Sequence, residues 1–308
     1  MKHNQERTKM LFRIIVVFLL APYISFAGDF IIAAENDIFF HTDQHYTHGT
    51  RLSYAFDGAP LWTDKIIDGD KKWNVILGQY MYTPNDITIE ELVENERPYG
   101  GWLYLGNSLS VRNGNKLDYF EVDLGVTGNA SLAEDTQKLI HKWTGSSYPE
   151  GWKNQIKTEP GINLIYQKKY KYGNKYIDII PQYGGCAGNI YSYANVGGTI
   201  RAGYNLPDDF SFYKIEPHTR EFDNSVFSIC VFLGAEERFV LRNIFLDGNT
   251  FRDSYSVEKE NFVSDFMLGI EICYENDSIV IADNYRTREF EDQDEDDRFS
   301  TIMINIGF

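Results

Sequence analysis

The chain ends in the stretch Phe299-Ser300-Thr301-Ile302-Met303-Ile304-Asn305-Ile306-Gly307-Phe308. Apolar side chains share one face of this stretch and polar or small residues share the other: Ile302, Ile304, Ile306 and Phe308 against Thr301, Asn305 and Gly307. This period of two predicts a β-strand with one apolar and one polar face. Soluble proteins seldom end on such a strand, because chain termini fray into water. A final strand that stops on an aromatic residue is typical of outer-membrane β-barrels, where it closes the sheet and joins an aromatic girdle.

The N-terminal segment has the pattern of a secretory signal peptide. Basic residues precede the apolar run Ile14–Leu20, and Ser25-Phe26-Ala27 forms a small-x-small cleavage site. The run is short for a membrane span of about 20 residues, and Pro22 follows it, which disfavours a membrane anchor. We therefore expect residues 1–27 to be removed and residues 28–308 to form the mature domain. No later stretch is apolar and long enough to predict a transmembrane helix.

The composition agrees with an exported β protein. The chain has 21 Tyr, 21 Phe and 5 Trp, a content that suits two interfacial aromatic belts. Its formal net charge of −16 argues against nucleic-acid binding and suits outer loops that face water and divalent cations, although solubility alone would also favour it. The 3 cysteines are an odd number without a CxxC spacing, so we assign them no disulfide or metal role.

Strand-like segments predict a transmembrane antiparallel β-barrel of about twelve strands. Two hairpin turns are marked by Asn113-Gly114-Asn115 and Tyr172-Gly173-Asn174. The predicted strands are Phe30–Ala34, Gly49–Phe56, Asn74–Tyr82, Gly101–Val111, Lys116–Val126, Ile162–Tyr170, Tyr176–Tyr183, Asn195–Tyr204, Val226–Ala235, Phe262–Tyr274, Ser278–Tyr285 and Arg298–Phe308. Because such barrels have an even strand count, we interpret Phe239–Phe245 as part of an outer excursion.

A periplasmic N-terminus would place the connections after odd-numbered strands outside the cell. These connections are Glu35–His48, Thr83–Arg97, Gly128–Lys157 and Glu289–Asp297. The tight turns at Asn113, Gly173 and Glu275-Asn276-Asp277 then fall inside, together with the stretch Leu206–Ser225. Long outer loops and short inner turns are the usual asymmetry of outer-membrane barrels.

The first candidate site lies at the outer ends of strands one and two. Glu35-Asn36-Asp37 ends strand one, and Tyr46-Thr47 begins strand two, so antiparallel pairing brings them together. Carboxylate, amide and hydroxyl oxygens are hard ligands of the kind that Ca²⁺ prefers. The alternative is an ordinary polar loop with Asn-Asp turn chemistry.

The second candidate site is Asp135–Gly145, which reads as a short helix that stops at Gly145. Within it, His141 has the side chain best suited to act as a base near neutral pH, although a loop histidine without a role is the alternative. His41, His45 and His48 have helical spacings, but the segment lacks a helical pattern and an HExxH motif, so zinc is disfavoured. No GxSxG motif is present, and Ser146 and Ser147 are weak nucleophile candidates.

The ordered set of these motifs resembles the lipid A 3′-O-deacylase (LpxR) family of outer-membrane enzymes. The matching landmarks are Asn36-Asp37, Tyr46-Thr47-x-Gly49, Gln79-x-x-Tyr82-Thr83-Pro84, Arg97-Pro98-Tyr99-Gly100-Gly101, His141-x-x-x-Gly145 and Pro149-x-Gly151-Trp152-x-Asn154-Gln155. They spread over most of the mature chain, and the terminal Phe308 fits as well.

The resemblance implies a twelve-stranded barrel whose active site lies between the barrel wall and the outer leaflet. It implies metal-dependent ester hydrolysis, with Ca²⁺ or another divalent cation, that releases the 3′-linked acyloxyacyl group of lipid A. Carried over by position, Asn36, Asp37 and Thr47 would form the cation and oxyanion region, and His141 would activate water. Glu35, Tyr46 and Ser147 would be secondary members of the site. The partners implied are outer-leaflet lipopolysaccharide and, during biogenesis, the barrel assembly machinery.

Two positions depart from the family pattern. The family has a Glu six residues after the histidine, where this chain has Ser147, and a Lys after the strand-three Thr-Pro, where this chain has Ile89. Glu35, Asp86 and Glu134 are the acidic residues that would replace the lost carboxylate. Two alternatives stay open: an outer-membrane phospholipase-type esterase, and a non-catalytic barrel that serves as a pore or a surface-binding protein.

Overall fold

The computed structural model describes residues 28–37, 45–57, 63, 68–210, 220–221 and 227–308. Its principal elements are twelve strands and two helices. The strands are β1 (Gly28–Asn36), β2 (His45–Asp57), β3 (Asp70–Thr83), β4 (Gly100–Asn113), β5 (Lys116–Thr127), β6 (Pro160–Tyr170), β7 (Ile177–Gly188), β8 (Tyr191–Tyr204), β9 (Phe227–Asn243), β10 (Phe262–Tyr274), β11 (Asp277–Arg286) and β12 (Asp297–Gly307). The helices are α1 (Ala133–Thr144) and α2 (Ile244–Asp247).

The twelve strands form one closed antiparallel barrel. Each strand pairs with its neighbours in the chain, and β1 pairs with β12, so that Phe30 lies opposite Ile306. Closure leaves no long unpaired edge, which is the condition for a sheet to cross a membrane. The predicted barrel and the role of the C-terminal strand are confirmed. Among the described residues, no helix has the length and hydrophobicity needed to cross a membrane.

The strand predictions differ from the structure mainly at one place. We expected Phe239–Phe245 to belong to an outer excursion, but Phe239–Asn243 continues β9, where it pairs with the start of β8. Only Ile244–Asp247 leaves the wall, as α2. The segment adds no thirteenth spanning strand, as predicted, but its assignment to an excursion was wrong because β9 and β8 stay paired through Asn243, and strand alternation does not reveal where pairing stops.

The two ends of the barrel differ in their connections. We call the end with residues 84–99, 128–159, 244–261 and 287–296 the loop end, and the opposite end the turn end. At the turn end, Gly114 has a φ of 59° in the tight turn between β4 and β5, as the sequence predicted. The described part of Leu206–Ser225 also follows β8 at the turn end. Long connections are therefore more numerous at the loop end, as expected, but the separation is incomplete, because the connection after β8 at the turn end is long and only Asn189 and Ile190 join β7 to β8 at the loop end.

Charged and aromatic side chains fill the lumen at both ends. At the loop end, the guanidinium of Arg97 lies 3.1 Å from Glu289 and over the rings of Tyr82 and Phe290. At the turn end, Arg201 is fully buried and bonded to Asp178 and Asp209, and Phe210 packs inside the wall. The cavity between these groups measures about 140 Å³. A lumen blocked in this way argues against an open pore.

The signal peptide, one histidine and the three cysteines remain to be compared with the predictions. The expected signal peptide, residues 1–27, lies outside the described residues, and so does His41. Cys186, Cys230 and Cys273 are buried free thiols, in agreement with the absence of a disulfide scaffold.

Candidate active site

The outer surface of the wall at the loop end carries the first group of predicted residues. Side chains of β1 alternate between lumen and exterior, so Glu35 and Asn36 lie on opposite sides of the wall. Asn36 is opposite His48 in the register, and its Nδ2 donates to the main-chain oxygen of Thr47 at 3.0 Å. The predicted meeting of the two strand ends is therefore present.

A β-bulge determines where Thr47 points. The β2–β3 register shifts between Tyr46 and His48, so Thr47 is an extra residue in β2. Its hydroxyl lies 2.7 Å from that of Thr83, the last residue of β3. Sequence reasoning did not single out Thr83 as a site residue, although it belongs to the Tyr82-Thr83-Pro84 landmark. Asn36, Thr47 and Thr83 therefore form a connected polar patch.

Glu35 and Tyr46 occupy the other side of the wall. Both line the lumenal cavity, where the hydroxyl of Tyr46 donates to the carboxylate of Glu35. Tyr46 also packs edge-on against Phe299, with ring centroids 4.8 Å apart. The sequence placed these two residues beside Asn36 and Thr47, but the structure separates them from that patch by the thickness of the sheet. Strand alternation produces this separation, since neighbouring residues of β1 and of β2 point to opposite faces of the sheet.

Asp37 follows Asn36 directly, one residue past the end of β1. Its side chain is almost completely buried. The amide and the two hydroxyls of the patch, and the Asp37 carboxylate next to Asn36 in the chain, are oxygen donors of the type that Ca²⁺ takes as ligands. The described part of the chain contains no group of three or more His, Cys, Asp or Glu residues arranged to hold a metal. A cation here would therefore depend on one carboxylate with neutral oxygens, and the donor chemistry fits that arrangement.

Helix α1 lies on the exterior of the wall, against β3 and β4. Gly101 and Gly100 point to opposite sides of β4. A Cβ on Gly101 would lie 2.4 Å from the Cβ of Ala133, and one on Gly100 would meet the lumenal Phe245. Gln79, which also points outward, donates from Nε2 to the main-chain oxygen of Ser131 at 2.7 Å. Gly101 of the Arg97–Gly101 landmark thus allows α1 to approach the wall closely, and Gly100 leaves room for Phe245 in the lumen.

The buried face of α1 carries the candidate base. Ala133, Gln137 and His141 are one turn apart and buried. Ala133 packs with Met81 of β3 and with Trp152, whose Nε1 donates to Oε1 of Gln137 at 2.7 Å. His141 therefore belongs to the layer that rests on the outer side of β3 and β4. The polar patch on β1, β2 and the end of β3 lies on the same side of the wall.

The hydrogen bond of His141 defines which nitrogen is basic. Its Nδ1 lies 2.5 Å from the main-chain oxygen of Ser147. A carbonyl oxygen only accepts, so Nδ1 carries the proton and Nε2 has the lone pair. The segment returns to the ring because Gly145 adopts a left-handed φ of 75° and its N–H caps the helix at the His141 oxygen, 2.9 Å away. Ser147 thus contacts His141 through its backbone, which any residue at this position would supply.

The acidic residues considered as replacements for the family glutamate have other partners. Asp86 accepts from the backbone and hydroxyl of Thr88. Glu134 forms an ion pair with Lys138 at 2.7 Å. Ile89, which stands in the place of the family lysine, is partly exposed.

The remaining histidines do not support a zinc site among the described residues. His45 is buried between Asp297 at 2.7 Å and Glu96 at 3.5 Å. The Nε2 of His48 lies 2.6 Å from the hydroxyl of Thr50. The two rings therefore bind different partners.

A family model and one solved structure agree with this architecture. A family model described as "Outer membrane protein LpxR" matches residues 11–308. The solved structure of LpxR from Salmonella typhimurium is 21% identical, with a TM-score of 0.77 over 91% of this chain and 100% of that chain. The β domain of the Bordetella autotransporter Brka is 10% identical, with a TM-score of 0.47 over 92% of this chain and 100% of that one. The KdgM porin is 7% identical, with a TM-score of 0.39 over 91% of this chain and 99% of its own. No curated protein matches the chain.

Proposed function

This chain belongs to the LpxR family of outer-membrane proteins, and on that premise we propose that it is a lipid A deacylase. The proposed reaction is hydrolysis of the ester that links the 3′ acyloxyacyl group to the glucosamine of lipid A. The membership rests on a family match from residue 11 to residue 308. Ester hydrolysis needs a base to activate water and hydrogen-bond donors or a cation to stabilise the oxyanion. Residues of both kinds lie on the outer side of the barrel wall at the loop end.

The single observation that carries the proposal is the hydrogen bond between Nδ1 of His141 and the Ser147 carbonyl oxygen. It fixes the tautomer in which Nε2 accepts a proton, as a general base requires. We infer that Nε2 removes a proton from water as the water attacks the ester carbonyl. The same nitrogen then returns the proton to the leaving 3′ oxygen, which gives a free fatty acid and a sugar hydroxyl.

Asn36, Thr47 and Asp37 have the second role in the proposal. The amide of Asn36 and the hydroxyl of Thr47 belong to one hydrogen-bonded patch and supply groups that bind a developing oxyanion. Asp37 and these neutral oxygens would hold a divalent cation, which polarises the ester carbonyl when bound. Thr83 supports the patch through its hydrogen bond with Thr47.

The position of the site agrees with the substrate. Lipid A is confined to the outer leaflet, and the proposed groups lie outside the wall instead of inside the lumen. The blocked lumen gives no support to the pore alternative. Glu35, which points into the lumen, is not part of the proposed machinery.

The proposal is tested with the purified mature chain in detergent and isolated lipid A. Mass spectrometry should detect release of the acyloxyacyl acid by the unaltered protein. Release should fall by at least about 10² with His141→Ala, the usual contribution of general-base catalysis. Ser147→Ala keeps the main-chain acceptor and should retain activity. Release by His141→Ala at the unaltered rate would refute the proposed base, and release of a glycerophospholipid acyl chain alone would favour the phospholipase alternative.

A further inference from the structure

Helix α1 carries apolar side chains on the face that points away from the barrel. Leu139 and Trp143 are one turn apart and are 47% and 76% exposed. Tyr148, in the segment after the helix, is 53% exposed and lies 5.2 Å below the ammonium of Lys138. Lys142 is exposed beside Trp143. We call Leu139, Lys142, Trp143 and Tyr148 the α1 outer face.

The packing of α1 determines what this face meets. Its opposite face, with Ala133, Gln137 and His141, is buried against the layer that covers β3 and β4. Because α1 lies outside the wall, the α1 outer face points away from both the wall and the lumen. In an outer-membrane barrel, that direction leads to the surrounding lipid.

The apolar belt of the wall continues toward α1. Leu105, Leu124 and Ile162 are neighbours across β4, β5 and β6, and all three are exposed on the exterior. Leu105 is four residues along β4 from Gly101, where α1 contacts the wall, a distance of about 13 Å. The helix therefore lies at the edge of the belt, at the depth where Trp and Tyr side chains are enriched.

The charge of the α1 outer face indicates which type of lipid it binds. Lys138 is paired with Glu134 at 2.7 Å, and Lys153 with Glu90 at 2.8 Å. Lys142 occupies the last turn of α1 on the same side as Trp143. In a chain with a formal net charge of −16, an exposed ammonium beside two apolar side chains suits an anionic amphiphile. Lipid A has phosphates next to acyl chains.

We propose that the α1 outer face docks on lipid A in the outer leaflet and thereby anchors α1, whose opposite face carries His141, at the membrane surface. Leu139 and Trp143 contact acyl chains, Tyr148 lies at the headgroup boundary, and Lys142 binds a phosphate. This proposal rests on the proposed function, since it deepens the account of how that site takes its substrate.

Trp143 itself reports on the docking. The test uses the full mature chain with His141→Ala in vesicles that contain lipid A, with a second preparation that also carries Trp143→Phe. Subtracting the emission spectrum of the second preparation from that of the first gives the fluorescence of Trp143. Phospholipids brominated near the headgroup end of the acyl chain should quench this emission, and aqueous iodide should quench it weakly. Strong quenching by iodide with none by bromine would overturn the proposal, and protection from both quenchers would indicate a protein partner and overturn it too.

Kinetics on vesicles give an independent readout. Trp143→Ala should raise KM on the order of tenfold, equivalent to about 1.4 kcal/mol, and leave kcat unchanged because His141 is untouched. Trp143→Phe should restore most of the affinity. Phe251→Ala, which removes an exposed aromatic ring from another loop-end connection, is the matched control and should have no effect. An unchanged KM in Trp143→Ala would contradict the docking role. Quenching does not require turnover, so a chain that quenches without hydrolysis would refute only the proposed function.

Discussion

Replacing Gly145 by Val should impair the reaction without any steric clash. Gly145 has a φ of 75°, and a Cβ there would meet no atom within 4 Å. The cost is therefore in the backbone alone, about 1–2 kcal/mol for an L-residue in the left-handed region. The chain can relieve this strain by opening the turn that caps α1. That turn holds the Ser147 carbonyl 2.5 Å from Nδ1 of His141.

We expect kcat/KM of Gly145→Val to fall about tenfold, because 1.4 kcal/mol is a factor of ten. The assay is hydrolysis of lipid A by purified protein in detergent. Gly145→Asn is the matched control, since Asn tolerates the left-handed region and should retain most of the activity. Thermal unfolding should be similar for both variants, because the barrel does not depend on this turn. Wild-type kcat/KM in Gly145→Val would refute the claim that the turn positions His141.

Three further changes test other parts of the account. Burial alone would raise the pKa of Glu289, but the nearby guanidinium groups, Arg97 first among them, lower it. Its stabilising effect is thus present above the ordinary carboxyl pKa, about 4.3, and is lost as the pH falls further. Glu289→Gln should lower the free energy of unfolding by about 3–5 kcal/mol at neutral pH. Thermal unfolding of this variant should also change less than that of the unaltered protein when the pH is lowered through the carboxyl range. Gln137→Leu leaves the buried Trp152 N–H without its acceptor and should lower unfolding stability by about 1–3 kcal/mol, which calorimetry measures. Asp37→Asn should lower activity at least about tenfold, and chelators should no longer reduce the activity that remains. A titration of activity with metal ions would detect both effects. Full sensitivity of this variant to chelators would contradict the cation role of Asp37.

Sequence patterns predicted the barrel well because alternation follows directly from strand geometry. The stretch Ile302–Phe308 alternates without interruption, and the predicted bounds of Phe262–Tyr274 agree with the structure. The end of α1 was also predictable, since Gly145 stops the helix at the expected place. These features depend on local rules, which the chain obeys.

Features that depend on pairing were harder to predict. The extension of β9 through Asn243 depends on its partner β8, which the residues of β9 do not encode alone. The bulge at Thr47 is an irregularity of the β2–β3 register: Thr47 has no register partner in β3, and its hydroxyl contacts Thr83. The contact between His141 and the Ser147 backbone is invisible to motif reasoning, which considers only the side chain at that position.

The central claim is that this chain removes the 3′ acyloxyacyl group of lipid A with His141 as the base. The most direct measurement is mass spectrometry of lipid A from Gram-negative cells that produce either the unaltered chain or His141→Ala. The account predicts loss of the acyloxyacyl mass in the first culture and intact lipid A in the second. Unchanged lipid A in both cultures, with each protein folded in the outer membrane, would contradict it.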